Sequence, residues 1–264
     1  MAYFAGPLAD AHRARFTGNA RLRLARWLET DLGLQSYNGR LVYNTHGAHY
    51  LLGTRPEMLS EGPGPALRVA GEDLGSYFSV LGGGPGTALP TFVAALDPGL
   101  VRSRDVRSDR FYARSFGGGV DPGLAGALTT FREVLNSLTV LLPSGPRCAT
   151  EVKLVYLMLY HVLLSLQRLR GRTGLGAIVP PMLDRLMADP LAVRLLDPGG
   201  RQFRNTLVHY GFDSRLPEGA VDPASPLGGL VGHYFPGLDL ETLDVTVRGC
   251  LSSISSVLDE CAGS

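Results

Sequence analysis

The chain of 264 residues reads as an α+β protein, mainly α, with a mixed α/β N-terminal region (residues 1–120) and a C-terminal helical bundle (residues 121–264). Two observations predict this. Turn formers crowd the first 120 residues and cut them into short segments, whereas the remainder carries long apolar periodicities with few internal glycines. A composition 45% hydrophobic and 19% charged, with a formal net charge of +1, is that of a folding chain long enough for a core.

The elements follow in order. Residues Leu8 to Leu32 form an opening amphipathic helix, in which Arg13, Arg15, Arg21 and Arg23 punctuate Phe16, Leu22, Leu24 and Trp27. Arg40–Asn44 and His49–Gly53 then flank a short turn-like segment and read as a hairpin. Further strands are expected at Ala66–Ala70, Tyr77–Leu81 and Arg110–Phe116, and Gly117-Gly118-Gly119 marks a soft boundary. Leu124 to Leu142 follows as a helix, with Leu128, Phe131, Leu135 and Leu138 at helical spacing and Pro143 beyond its end. Thr150 caps a helix from Glu151 to Arg170 that is apolar nearly all round in its middle and belongs at the centre of its domain. Pro180-Pro181 opens a short helix to Ala188, and Asp189-Pro190 restarts it to Leu196. Asp197-Pro198-Gly199-Gly200 breaks the chain before a helix at about Arg201. A last helix runs from Leu240 to Cys261, with Leu240, Leu243, Val247, Leu251, Ile254 and Leu258 on one stripe. No period of 20 to 50 residues recurs.

Charge and cysteine usage exclude several functions. A balanced charge gives no whole-molecule field for phosphates, so a nucleic-acid site must be local. Cys148, Cys250 and Cys261 lie far apart and form neither a disulfide framework nor a thiolate metal site. The N-terminal residues show no basic leader with an apolar core, which gives the expectation of a cytoplasmic protein. The apolar stretch Leu154–Leu166 is shorter than the ~20 residues that span a bilayer, so no membrane partner is expected. Lys153 is the single lysine among 25 basic residues, a skew that fits a GC-rich genome.

The most informative stretch is Arg201-Gln-Phe-Arg-Asn-Thr-Leu-Val-His-Tyr-Gly211. On a helix, Phe203, Leu207 and Tyr210 share one face while Arg201, Asn205 and His209 share the opposite one, with Arg204 beside them. A guanidinium, an amide and an imidazole presented together suit an anionic substrate that needs proton transfer near neutral pH. Phosphodiester cleavage in RNA needs that set: a base for the 2′-OH, an acid for the leaving 5′-oxygen, and positive charge for the transition state.

Arg204-Asn205-Thr206-Leu207-Val208-His209 resembles the Arg-x4-6-His motif of the HEPN superfamily, small helical domains of many toxin, antiviral-defence and CRISPR-associated ribonucleases. The resemblance covers roughly residues 121–264, and the helices at 124–142 and 151–170 match the two long helices that precede the motif there. It implies a metal-independent endoribonuclease, active as a homodimer with two motifs across one cleft, leaving a 2′,3′-cyclic phosphate and using no cofactor. By position, Arg204 would stabilise phosphate charge, His209 would act as acid or base, and Asn205 would orient the imidazole or the phosphate. A regulatory or antitoxin partner is implied by the same resemblance. Tyr210 follows His209 directly, which departs from the variant with Tyr two residues after His and argues against a nucleotide-transferring partner system. Arg40 to His46 also satisfies the spacing, but in a strand-like region.

Two other readings stand beside this one. A non-catalytic HEPN-type module would use the helix pair for dimerisation or nucleotide binding. Alternatively, a metal-dependent small-molecule enzyme would centre on His46 and His49, two imidazoles at i and i+3 that could ligate a metal if helical. A turn is expected there and no clear third ligand accompanies them, so no metal is assigned. His161, mid-helix among apolar residues, reads as a core or interface histidine. His233-Tyr234-Phe235 is placed in a loop, and Gly82–Thr87 in a flexible loop that lacks a P-loop ending. The cluster Arg102, Arg104, Arg107, Arg110 and Arg114, with Phe111, Tyr112 and Phe116, reads as a solvated strand or an RNA-tracking surface. There is no Gly-x-Ser-x-Gly elbow for a serine hydrolase.

Overall fold

The computed structural model describes residues 7–18, 28–51, 97–142, 149–209, 216, 219, 221 and 225–263. The fold is mainly helical with a small three-stranded antiparallel sheet. The chain divides into two compact units, Met1–Glu133 and Val134–Ser264, so the dividing line falls inside a long helix and not at the glycine run.

In the first unit, helix α1 (Pro7–Phe16) is shorter than the periodicity suggests. Its last turn closes with Thr17 N–H donating to the Arg13 carbonyl, and Gly18 takes a positive φ of 84° that ends the helix. Arg21, Leu22, Arg23, Leu24 and Trp27 lie outside the described residues. Strand β1 (Leu32–Tyr37) pairs antiparallel with β2 (Arg40–Asn44) through Asn38 and Gly39, whose φ values of 47° and 78° make the tight turn. The hairpin partner of Arg40–Asn44 is thus the preceding segment. His49–Leu51, expected as a strand, belongs to helix α2 (Thr45–Leu51), which packs on both strands. Strand β3 (Val101–Val106) pairs with β1 on its other side and completes the sheet order β2-β1-β3.

Residues 110–116 are not a strand. Helix α3 (Ser108–Arg114) occupies most of them, and a 3₁₀ turn (Ser115–Gly117) follows. Asp31 sets the start of α3 by accepting from the Ser108 N–H at 2.7 Å and the Ser108 hydroxyl at 2.6 Å. The expected basic cluster is accordingly split: Arg102 and Arg104 stand exposed on β3, while Arg107, Arg110 and Arg114 lie at or on α3. Gly117, Gly118 and Gly119 all have positive φ, so the run is a sharp reversal that leads into helix α4 (Pro122–Leu141). The expected strands at 66–70 and 77–81 and the Gly82–Thr87 loop lie outside the described residues.

The second unit is built from helices. After the later part of α4 come α5 (Ala149–Leu169), α6 (Val179–Met187), α7 (Pro190–Leu196), α8 (Pro198–His209), α9 (Pro226–Tyr234) and α10 (Leu240–Ala262). The stripe read from the sequence of α10 is its buried face: Leu243, Val247, Leu251, Ile254 and Leu258 are all buried. Asp239 caps that helix by accepting from Thr242 N–H at 2.7 Å. Helix α5 begins one residue before Thr150, and it packs on α6, α7, α8 and α10. Among the described residues it is the one helix long and apolar enough to cross a membrane. Nine of its residues, Val152 to Leu169, are buried within the protein.

The break expected at 197–200 is a helix start. Asp197 accepts from Gly200 N–H at 2.7 Å, so Pro198, Gly199 and Gly200 form the first turn of α8. Glycine is required at 200 because a Cβ there would collide with the Leu195 carbonyl oxygen. His233 and Tyr234, expected in a loop, form the last turn of α9, and Phe235 follows as its C-cap.

Candidate active site

Helix α8 carries the motif and is anchored by its apolar face. Phe203 and Leu207 are buried, and the Phe203 ring meets Tyr156 at 4.8 Å, edge to face, and Phe235 at 5.3 Å. The Tyr156 hydroxyl donates to the Gly200 carbonyl at 2.9 Å and pins the start of α8 to α5. Thr206 Oγ1 and the Tyr234 hydroxyl, 3.0 Å apart, tie α8 to α9. These contacts leave one face of α8 free, and Arg204 and Asn205 lie there. Asn205 is exposed and Arg204 half-buried.

Arg204 is held from two sides. Its Nη1 donates to Asn205 Oδ1 at 3.0 Å, and its Nη2 donates to Nε2 of His161 at 3.2 Å. Its buried Nε has no hydrogen-bond partner among the described residues. His161 therefore stands exposed beside the motif and is not a core histidine. Accepting a hydrogen bond from a guanidinium requires a neutral ring with its proton on Nδ1. Partial burial and then the Arg204 charge push His161 below the ordinary histidine value, which keeps it neutral. The pair thus presents a positive charge next to an unprotonated imidazole.

His209 is the last residue of α8, one helical turn beyond Asn205 along the backbone. Its side chain lies outside the described residues, as does Tyr210. Arg204 and Asn205 are thus brought together, and His161 is the neighbour that sequence patterning did not assign to the site.

The first unit holds a second polar constellation. Helix α1 brings His12, and helix α2 brings His46 and His49, into one buried cluster. The ring of His12 lies 4.6 Å from that of His46 and 4.9 Å from that of His49. His12 Nδ1 is 3.3 Å from the Asp31 carbonyl oxygen, and His46 Nδ1 is 3.0 Å from the Tyr112 hydroxyl. As the rings stand, no three His, Cys, Asp or Glu among the described residues are placed to hold a metal ion. The expectation of a turn at 46–49 is corrected, since the segment is helical, and His12 joins the pair. Beside the cluster, the Glu133 carboxyl accepts from Asn44 Nδ2 and is buried.

Comparison with known proteins gives no family for this chain. No family model matches it, and no curated protein or solved structure does.

Proposed function

We propose that the chain is a metal-independent endoribonuclease whose reacting groups are Arg204, His161 and His209, with Asn205 orienting the guanidinium. The observation that carries this reading is the Arg204–His161 contact, which sets a cation and a neutral imidazole from separate helices at one exposed spot. RNA is the substrate whose chemistry uses that pair. The substrate phosphate draws the guanidinium off His161 Nε2, and the freed Nε2 takes the proton from the 2′-OH as the oxygen attacks phosphorus. The guanidinium balances charge on the phosphoryl oxygens, and a second imidazole protonates the departing 5′-oxygen. The products are a 2′,3′-cyclic phosphate and a free 5′-hydroxyl. His209 supplies the second imidazole in this scheme, and the cleft it proposes, in keeping with the resemblance to the HEPN motif, lies between two copies of the chain. An endoribonuclease of this type acts in the cytoplasm as a toxin or antiviral-defence effector under the control of a regulatory partner.

The test is cleavage of labelled mixed-sequence RNA in EDTA by wild type, Arg204→Ala, His209→Ala and His161→Ala. Wild type is expected to cut, and each variant to lose about 10²- to 10³-fold while keeping its helical circular dichroism. RNA left intact by the folded wild-type dimer, with RNA still bound, would instead identify a non-catalytic module.

A further inference from the structure

We propose that His12, His46 and His49 form a site for one divalent first-row transition metal ion of the zinc class, bound through His12 Nε2, His46 Nε2 and His49 Nδ1. These three nitrogens are buried and have no hydrogen-bond partner among the described residues. The side chains that carry them are only 2%, 0% and 5% exposed. Burying a polar nitrogen without a partner costs on the order of 1–3 kcal/mol, and three such atoms in one cluster call for a common partner.

The other ring nitrogens show what kind of partner. His12 Nδ1 is taken by the Asp31 carbonyl and His46 Nδ1 by the Tyr112 hydroxyl. This is the arrangement of metal-ligating histidines, whose second nitrogen is held by an oxygen that fixes tautomer and ring orientation. Ring spacing agrees. With a metal–nitrogen bond of about 2.0–2.1 Å, ring centres sit about 3.2 Å from the ion and so about 4.5–5.2 Å from each other at angles between 90° and tetrahedral. The observed 4.6 and 4.9 Å fall in that range. The nitrogens do not converge at ligand distance in the free protein, so binding the ion requires the imidazoles to turn.

Charge supports the assignment. Burial, and then the neighbouring His49, push His12 down to about 4, while burial and then His12 push His46 down to about 3; burial also lowers His49. All three are neutral at pH 7, the state in which an imidazole binds metal. The Asp31 charge reaches His12 and partly offsets a dication, while the Arg13 cation reaches His46 and acts against it. An all-imidazole set selects zinc, copper or nickel over magnesium or calcium. Three ligands from α1 and α2 leave a fourth position for water.

The experiment uses the full chain without an affinity tag, stripped with chelator and titrated with Zn²⁺ against a chromophoric competitor, and in parallel with Co²⁺ followed by its visible absorption. One ion per chain, a tetrahedral Co²⁺ spectrum and a raised unfolding midpoint with Zn²⁺ are expected. His46→Gln and His49→Gln are expected to weaken binding more than about a hundredfold, and Tyr112→Phe, which removes only the outer oxygen, about 10- to 100-fold. His233→Gln, at an exposed position of α9, should bind as wild type. Folded wild type that takes up no ion, or uptake unchanged in His46→Gln, His49→Gln and Tyr112→Phe alike, would overturn the site. Should a histidine variant fail to fold, the wild-type stoichiometry and Co²⁺ spectrum still decide. RNA cleavage in EDTA is a separate readout, so either proposal can fail alone.

Discussion

Nη2 of Arg204 donates to Nε2 of His161 at 3.2 Å, across 43 residues of sequence and from one helix to another. The contact holds the guanidinium of α8 against an imidazole of α5 and gives each a defined state: the arginine is charged, and the histidine is neutral with a fixed tautomer.

A titration reads this contact directly. Burial and the Arg204 charge both lower His161. The ring signals of His161, followed by NMR, should therefore titrate below 6.5 in wild type and move upward in Arg204→Ala as the cation is removed. An unmoved midpoint would show that the guanidinium does not act on this ring.

Glu133 makes stability depend on pH in the opposite sense from an ordinary carboxylate. Burial pushes its carboxyl up to about 8, against the pull of its hydrogen bonds with Asn44. A group raised in the folded state stabilises fully below its unfolded value of 4.5 and loses that contribution as pH climbs toward about 8. The slope is at most about 1.4 kcal/mol per pH unit. Glu133→Gln, which can still accept from Asn44, should flatten the decline and be the more stable protein at pH 8.5, as measured by urea unfolding at pH 6 and 8.5.

Phe203 carries the packing that orients the motif helix, being 1% exposed among Tyr156, Tyr234 and Phe235. Phe203→Ala should cost about 3–5 kcal/mol. Val245→Ala, at a position 66% exposed, should stay within about 0.5 kcal/mol of wild type. Denaturant midpoints at constant slope compare the two.

Asp189 accepts from the backbone N–H of Leu191 at 2.8 Å and of Ala192 at 3.3 Å, which caps α7. Asp189→Ala should cost about 1 kcal/mol, and Asp189→Asn much less because the amide oxygen still accepts. Thermal unfolding of the two variants gives the comparison.

What could be read from the sequence was local. The apolar rows of α4, α5 and α10 repeat at the helical period, and the observed bounds lie within a few residues of those read from pattern alone. Asp189-Pro190 announced a helix start because cap and proline are neighbours in sequence. Strand β3, Val-Arg-Ser-Arg-Asp-Val, escaped because it is almost wholly exposed and shows no apolar alternation. The Asn38-Gly39 turn did carry a signal, a dipeptide suited to two positive φ values, and reading it would have paired β2 with the segment before it. The residues of both sites meet through tertiary packing. His12 reaches His46, and His161 reaches Arg204, only once separate helices have packed, and no spacing rule spans such gaps.

The most direct measurement is the single-turnover rate of RNA cleavage in EDTA by wild type and Arg204→Ala, both verified as folded, with the product ends identified. Wild-type cleavage to 2′,3′-cyclic phosphate, with the variant slower by about 10²- to 10³-fold, is the predicted result. Equal rates in the two proteins, or no cleavage by folded wild type, would contradict the assignment of Arg204 and His161 to a ribonuclease site.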